Sequence, residues 1–125
     1  MAKIHRVVPG IETDVTWLFV ADDERGQLRT GETIASVDSV TAYDVDGEEV
    51  EGVFAEAPAP SAGDATTHAG LPAIPVTARV SLSAETFATD LTLYVEVIVT
   101  TDTDRQAMYL DARGERPRLW INARP

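Results

Sequence analysis

The sequence predicts an all-β chain, an antiparallel sandwich of six to eight short strands, and three observations carry that prediction. Valine, threonine and isoleucine supply 34 of the 125 residues, and such branched side chains are stiff at χ1 and pack best on a pleated surface. Several runs alternate apolar and polar residues, the period of a half-buried strand. Glycine, proline and aspartate punctuate the chain between those runs so closely that no helix of more than two turns is expected.

The first clear strand spans Asp14 to Val20, with Val15, Trp17 and Phe19 on one side and Thr16, Leu18 and Val20 on the other. Trp17 is expected to be buried. A charged loop, ADDERGQLRTGE, leads to an extended pattern through Thr33, Ile34, Val37 and Val40 toward Tyr43. In TAYDVDGEEVEGVF, Asp46-Gly47 stands between Tyr43/Val45 and Val50/Val53, a tight-hairpin signal because both turn residues tolerate positive φ. Residues 55–73 hold seven alanines, three prolines and two glycines. They read as a loop or linker, too poor in large aliphatics for a strand and too rich in proline and glycine for a helix. In the second half, Val76, Ala78, Val80 and Leu82 form one alternating set, and Leu91, Leu93, Val95, Val97 and Val99 a longer one. The turn TDTDR then leads to a strand around Gln106 to Leu110, and DARGER precedes a last strand at Leu119 to Ile121. Short strands and turns at this spacing are the pattern of an immunoglobulin-like sandwich. The expected organisation is an N-terminal arm at 1–12, a sandwich at 13–110 with an Ala/Pro-rich loop at 55–73, and a basic arm or last strand at 111–125.

Composition narrows the function classes. Twenty-one acids against ten bases give a formal charge of −11, which repels a phosphate backbone, so no nucleic-acid partner is expected. There is no cysteine, which removes disulfides, thiolate metal sites and cysteine nucleophiles. No run approaches the roughly 20 apolar residues of a membrane span, and MAKIHRVVPG lacks a signal-peptide core; synthesis in the cytoplasm and no membrane partner are expected. The charge is uneven: residues 1–64 carry 14 acids and 4 bases, residues 65–125 carry 7 and 6. From Arg105 onward five arginines face only Asp111 and Glu115, so that end is net +3.

Neither His5 nor His68 stands beside a serine or acid on an expected rigid element, and no nucleophile elbow, phosphate loop or H-E-x-x-H occurs. No catalytic residue and no cofactor are expected, and the chain reads as non-enzymatic. The acidic groups at Asp22-Asp23-Glu24, at Asp44 to Glu49 and at Asp102/Asp104 lack the spacing of a calcium-binding helix-loop-helix, and no metal ligands are assigned. A calcium- or carbohydrate-binding module remains the alternative, with Tyr43, Asp44 and Asp46 as its best group. The residues expected to meet a protein partner are Lys3, Arg6, Arg113, Arg116, Arg118, Trp120 and Arg124, because arginine and tryptophan are over-represented at interface hot spots. A solvated, functionless arginine cluster is the competing reading.

Three blocks carry a family likeness: TDVTWLFVADD followed by GETIASVDSVTAYD, then VTARVSLS, then TLYVEVIVTTDTDRQAMYL. Here the chain resembles the small tail-associated proteins of tailed bacteriophages described as fiber–tail adaptors, and more loosely other immunoglobulin-like virion proteins. The resemblance implies a virion building block, oligomeric in the particle, that joins tail or fiber proteins or decorates capsid subunits. It implies no catalytic residue. The 55–73 stretch and the basic end depart from the family pattern. Deleting residues 111–125 is expected to leave a folded monomer that fails to join its assembly.

Overall fold

Among the residues that a computed structural model of the chain describes, which are 4–24, 26–110 and 114–123, there are nine strands and no helix. They are β1 (Ile4–Val7), β2 (Thr13–Val20), β3 (Ile34–Tyr43), β4 (Ser61–Ala62), β5 (Thr66–His68), β6 (Leu71–Val80), β7 (Leu91–Thr101), β8 (Gln106–Met108) and β9 (Arg118–Ile121). One sheet has the order β1-β9-β7-β3, with β8 also on β7; the other has the order β2-β6-β4, with β5 also on β6. All pairings are antiparallel except β1 with β9.

The alternation in the sequence aims one face of each main strand into a shared core. Val15, Trp17 and Phe19 of β2, Val76, Ala78 and Val80 of β6, and Leu93, Val95, Val97 and Val99 of β7 are all buried there. Trp17 lies edge-on to His5, with ring centroids 5.7 Å apart, and to Phe54 at 6.4 Å. β8 and β9 run end to end along the edge of β7 opposite β3: Tyr109 N–H donates to Val97 O, and Val95 N–H to Pro117 O.

The Asp-Gly hairpin forms with a different turn from the expected pair of positive-φ residues. Only Gly47 is left-handed, at φ 86°. Gly47 N–H donates to Asp44 O and Asp44 N–H to Glu48 O, a three-residue loop closed by a left-handed glycine. The chain then changes sheets. Val50 N–H donates to Ala42 O, still on the β3 edge, whereas Ser81 N–H donates to Val53 O and Ala55 N–H to Arg79 O on the β6 edge. Gly52, at φ 78°, stands between the two contacts.

The stretch 55–73 is not merely a loop. It carries β4 and β5, every residue of which is exposed, and both pair with β6, whose first three residues, ending in the buried Ala73, also belong to the stretch. Small residues bring no core side chains, but their backbones still supply ladder bonds to an open edge. The end segments likewise carry strands. β1 pairs with β9, and β9 lies inside the sheet between β1 and β7, with Leu119 and Ile121 fully buried. Removing 111–125 therefore takes two residues out of the core, so truncation cannot leave the fold intact as expected, and surface substitutions must test the partner face.

Gly26 is fixed by close approach, since a Cβ there would lie 2.1 Å from Val20 O and 2.6 Å from Asp22 N. Gly26→Ala is expected to destabilise the fold by more than about 1 kcal/mol, because the obstacle is backbone that cannot rotate away. Urea denaturation checks this; a midpoint equal to wild type refutes it.

Candidate partner interface

Four of the partner residues predicted from sequence, Arg6, Arg116, Arg118 and Trp120, meet on the outer face of the β1-β9-β7-β3 sheet. Register sets Arg6 opposite Trp120, Trp120 opposite Thr92, and Arg118 opposite Tyr94. Since Val7, Leu119, Ile121, Leu93 and Val95 point into the core, strand alternation turns Arg6, Trp120, Arg118 and Tyr94 outward. Trp120 is 41% exposed, one of the few large apolar side chains left in solvent. Lys3, Arg113 and Arg124 lie outside the described residues.

The cations sit against rings. The Arg6 guanidinium carbon is 5.2 Å from the Trp120 ring centroid, and those of Arg118 and Arg116 are 5.1 Å and 5.4 Å from Tyr94. Such contacts are worth about 0.5–1 kcal/mol each at exposed sites. Their larger consequence is order: a stacked guanidinium has already lost rotamer freedom that binding would otherwise remove. Ion pairs among the described residues join Arg79 to Asp14 and Arg105 to Glu32, and include none of Arg6, Arg116 or Arg118. Arg118 Nε is buried without a hydrogen-bond acceptor among the described residues. The face is not purely basic, since Glu96 follows Tyr94 by two residues and shares its side of β7.

Arg105, counted with the basic end in the sequence, is committed elsewhere. Its Nη2 lies 2.5 Å from Glu32 Oε1 and its Nε 3.2 Å from Oε2. Glu32 also accepts from Arg29 N–H at 2.6 Å, Thr101 Oγ1 at 3.0 Å and Thr103 Oγ1. Its side chain is only 4% exposed. The Arg105 fork, helped by the two threonines and the Arg29 amide, holds the Glu32 carboxyl far below its usual range against the opposing effect of burial. This pair ties the loop after β2 to the β7–β8 turn.

The Tyr43/Asp44/Asp46 group is organised as turn structure: Asp44 Oδ1 accepts from Asp46 N–H and Glu48 N–H, both at 2.9 Å. His5 packs on Trp17, while His68 ends β5 in the other sheet. Among the described residues no three of His, Asp and Glu gather as metal ligands do, and no helix is long and apolar enough to cross a membrane.

Two features were not read from the sequence. One is Tyr94 as the platform for two arginines, for which the signal was an aromatic in the polar phase of an alternating strand. The other is a groove along the outer edge of β3, where the chain changes sheets. Val40 and Phe54 line both of its contiguous parts, of about 440 and 400 Å³. Comparison of the chain with protein-family models, with curated proteins and with solved structures finds no match.

Proposed function

We propose that this chain is a non-enzymatic structural protein of a bacteriophage virion, an immunoglobulin-like sandwich that joins or decorates other virion proteins. The observation that carries this reading is the outer-face cluster of Arg6, Trp120, Arg116, Arg118 and Tyr94. There an exposed indole and stacked arginines stand ready for a protein surface. Strand order supports the immunoglobulin-like assignment: β2-β6-β4 takes the places of strands B, E and D, and β3-β7-β9 those of C, F and G. The partners are tail, fiber or major capsid subunits, and the working location is the virion. The acidic remainder of the surface keeps such a particle soluble.

The test is sedimentation of particles released from cells carrying the gene, with the chain followed by mass spectrometry. The wild-type chain is expected in the particle fraction, and a folded Trp120→Ala/Arg118→Glu variant is expected to remain in the soluble fraction. A wild-type chain absent from particles, or a variant incorporated as well as wild type, overturns the reading.

A further inference from the structure

The groove beside β3 is polar in its larger part, where Glu49, Glu51 and Glu56 stand beside Val50, and more apolar in its smaller part, where Val40 and Phe54 are joined by Val37, Ala59 and Pro60. All three glutamates are exposed. The volume of the larger part, about 440 Å³, falls within the range of about 300–1,000 Å³ usual for binding clefts. The neighbouring edge of β3 is a poor template for an added strand, because register shifts at Ile34/Ser36 and Val37/Ser39 break its ladder with β7. Bulges of this kind guard an edge against strand pairing. What the groove offers is a pocket for side chains.

The complementary surface is on the same chain. Trp120 with Arg6, Arg116 and Arg118 presents one exposed aromatic and three cations, matching a groove with three carboxylates in one part and an apolar lining in the next. The two surfaces cannot meet within one molecule: β1 and β3 are opposite edges of the sheet, about 14 Å apart at roughly 4.8 Å per strand. We infer that the groove receives the arginine–tryptophan face of a second copy of this chain. The indole of one copy seats on Val40, Phe54 and Pro60 of the next, and the arginine forks pair with Glu49, Glu51 and Glu56. The contact is heterologous, so copies add head to tail and form a ring if the rotation closes or a filament if it does not. This inference rests on the face used in the proposed function, but self-association of the isolated chain and incorporation into particles are separate measurements.

The experiment is sedimentation equilibrium of the purified chain at millimolar concentration, at ionic strengths of ~0.15 M and ~1 M, where the Debye length is about 8 Å and about 3 Å; the lower ionic strength already screens the long-range repulsion between two copies of net charge −11. Association is expected at the lower ionic strength and a shift toward monomer at the higher. Trp120→Ala is expected to weaken association by about tenfold or more, as for a hot-spot residue. Two charge reversals complete the test: Arg6→Glu/Arg116→Glu/Arg118→Glu, whose face then matches its own groove in sign, and Glu49→Arg/Glu51→Arg/Glu56→Arg, whose groove then matches its own face. Each is expected to be monomeric alone, with a cooperative thermal melt confirming its fold, and the two mixed are expected to co-associate. A wild-type chain that stays monomeric at the lower ionic strength, association indifferent to Trp120→Ala, or two folded charge variants that stay apart when mixed overturns the inference.

Discussion

Replacing Arg105 with alanine is expected to destabilise the fold by about 3 kcal/mol, the lower end of what removing one partner of a buried ion pair costs. The loss comes chiefly from the group left behind. Glu32 is almost wholly buried, and without the guanidinium its carboxylate keeps only the Arg29 amide and the hydroxyls of Thr101 and Thr103. Arg105 is about a third exposed, so the reverse substitution, Glu32→Ala, leaves a cation that water can reach and is expected to cost less. The pair also sets a pH dependence. The folded carboxyl is held far below its ordinary value of 4.5, so the unfolded chain binds the proton first and stability falls with falling pH. The contribution of Glu32 is complete above that ordinary value and is lost as the pH drops through the depressed folded one. Urea denaturation between about pH 7 and pH 3 should therefore show a steeper acid loss in wild type than in Arg105→Ala. Equal slopes would sink the assignment.

Trp17→Ala is expected to cost about 3–5 kcal/mol, the range for truncating a large aromatic in a core. Trp17 is fully buried and touches three parts of the fold: its own strand β2, His5 in β1 and Phe54 at the crossing between sheets. Against a total stability of roughly 0.05–0.15 kcal/mol per residue, that loss takes a large share. Trp17→Phe is expected to lose much less. The Trp17 Nε1–H is buried without an acceptor among the described residues, so phenylalanine removes a desolvated donor while keeping most of the apolar contact. The ordering of urea midpoints, wild type first, then Trp17→Phe, then Trp17→Ala, checks both statements. If Trp17→Phe were as damaging as Trp17→Ala, the indole N–H would have to be bonded.

The strand assignments were legible because one period dominates the long runs. In β2 and β7 each second residue is a large aliphatic or aromatic, and a slip of one residue would expose that whole set, so pattern and burial agree there. The edges of the sandwich were less legible. β4 and β5 are built from serine, alanine, threonine and histidine, residues that announce no strand because their contribution is backbone bonding to an edge already present. The switch between sheets at Gly52 was equally silent, since TAYDVDGEEVEGVF reads as a plain hairpin until Phe54 is seen opposite Val80.

For the candidate site, the types of residue were legible and their arrangement was not. Arginines and an exposed tryptophan near the C-terminal end suggested a partner face, but spacing alone could not tell which arginines were available. Arg105 is consumed by Glu32, from which 72 residues separate it along the chain, whereas Arg116 and Arg118 are stacked on Tyr94.

Local chemistry determined the all-β character, the buried Trp17 and the turn at Gly47, because branched side chains, strict alternation and a glycine act within a few residues. The tertiary structure alone decided that the C-terminal segment is an inner strand, that β1 runs parallel to it, and that Arg6 faces Trp120. The uneven charge acquired its position in the same way. The physical reason is that these depend on which strand edges find each other across long loops, and backbone groups carry no sequence label to say so.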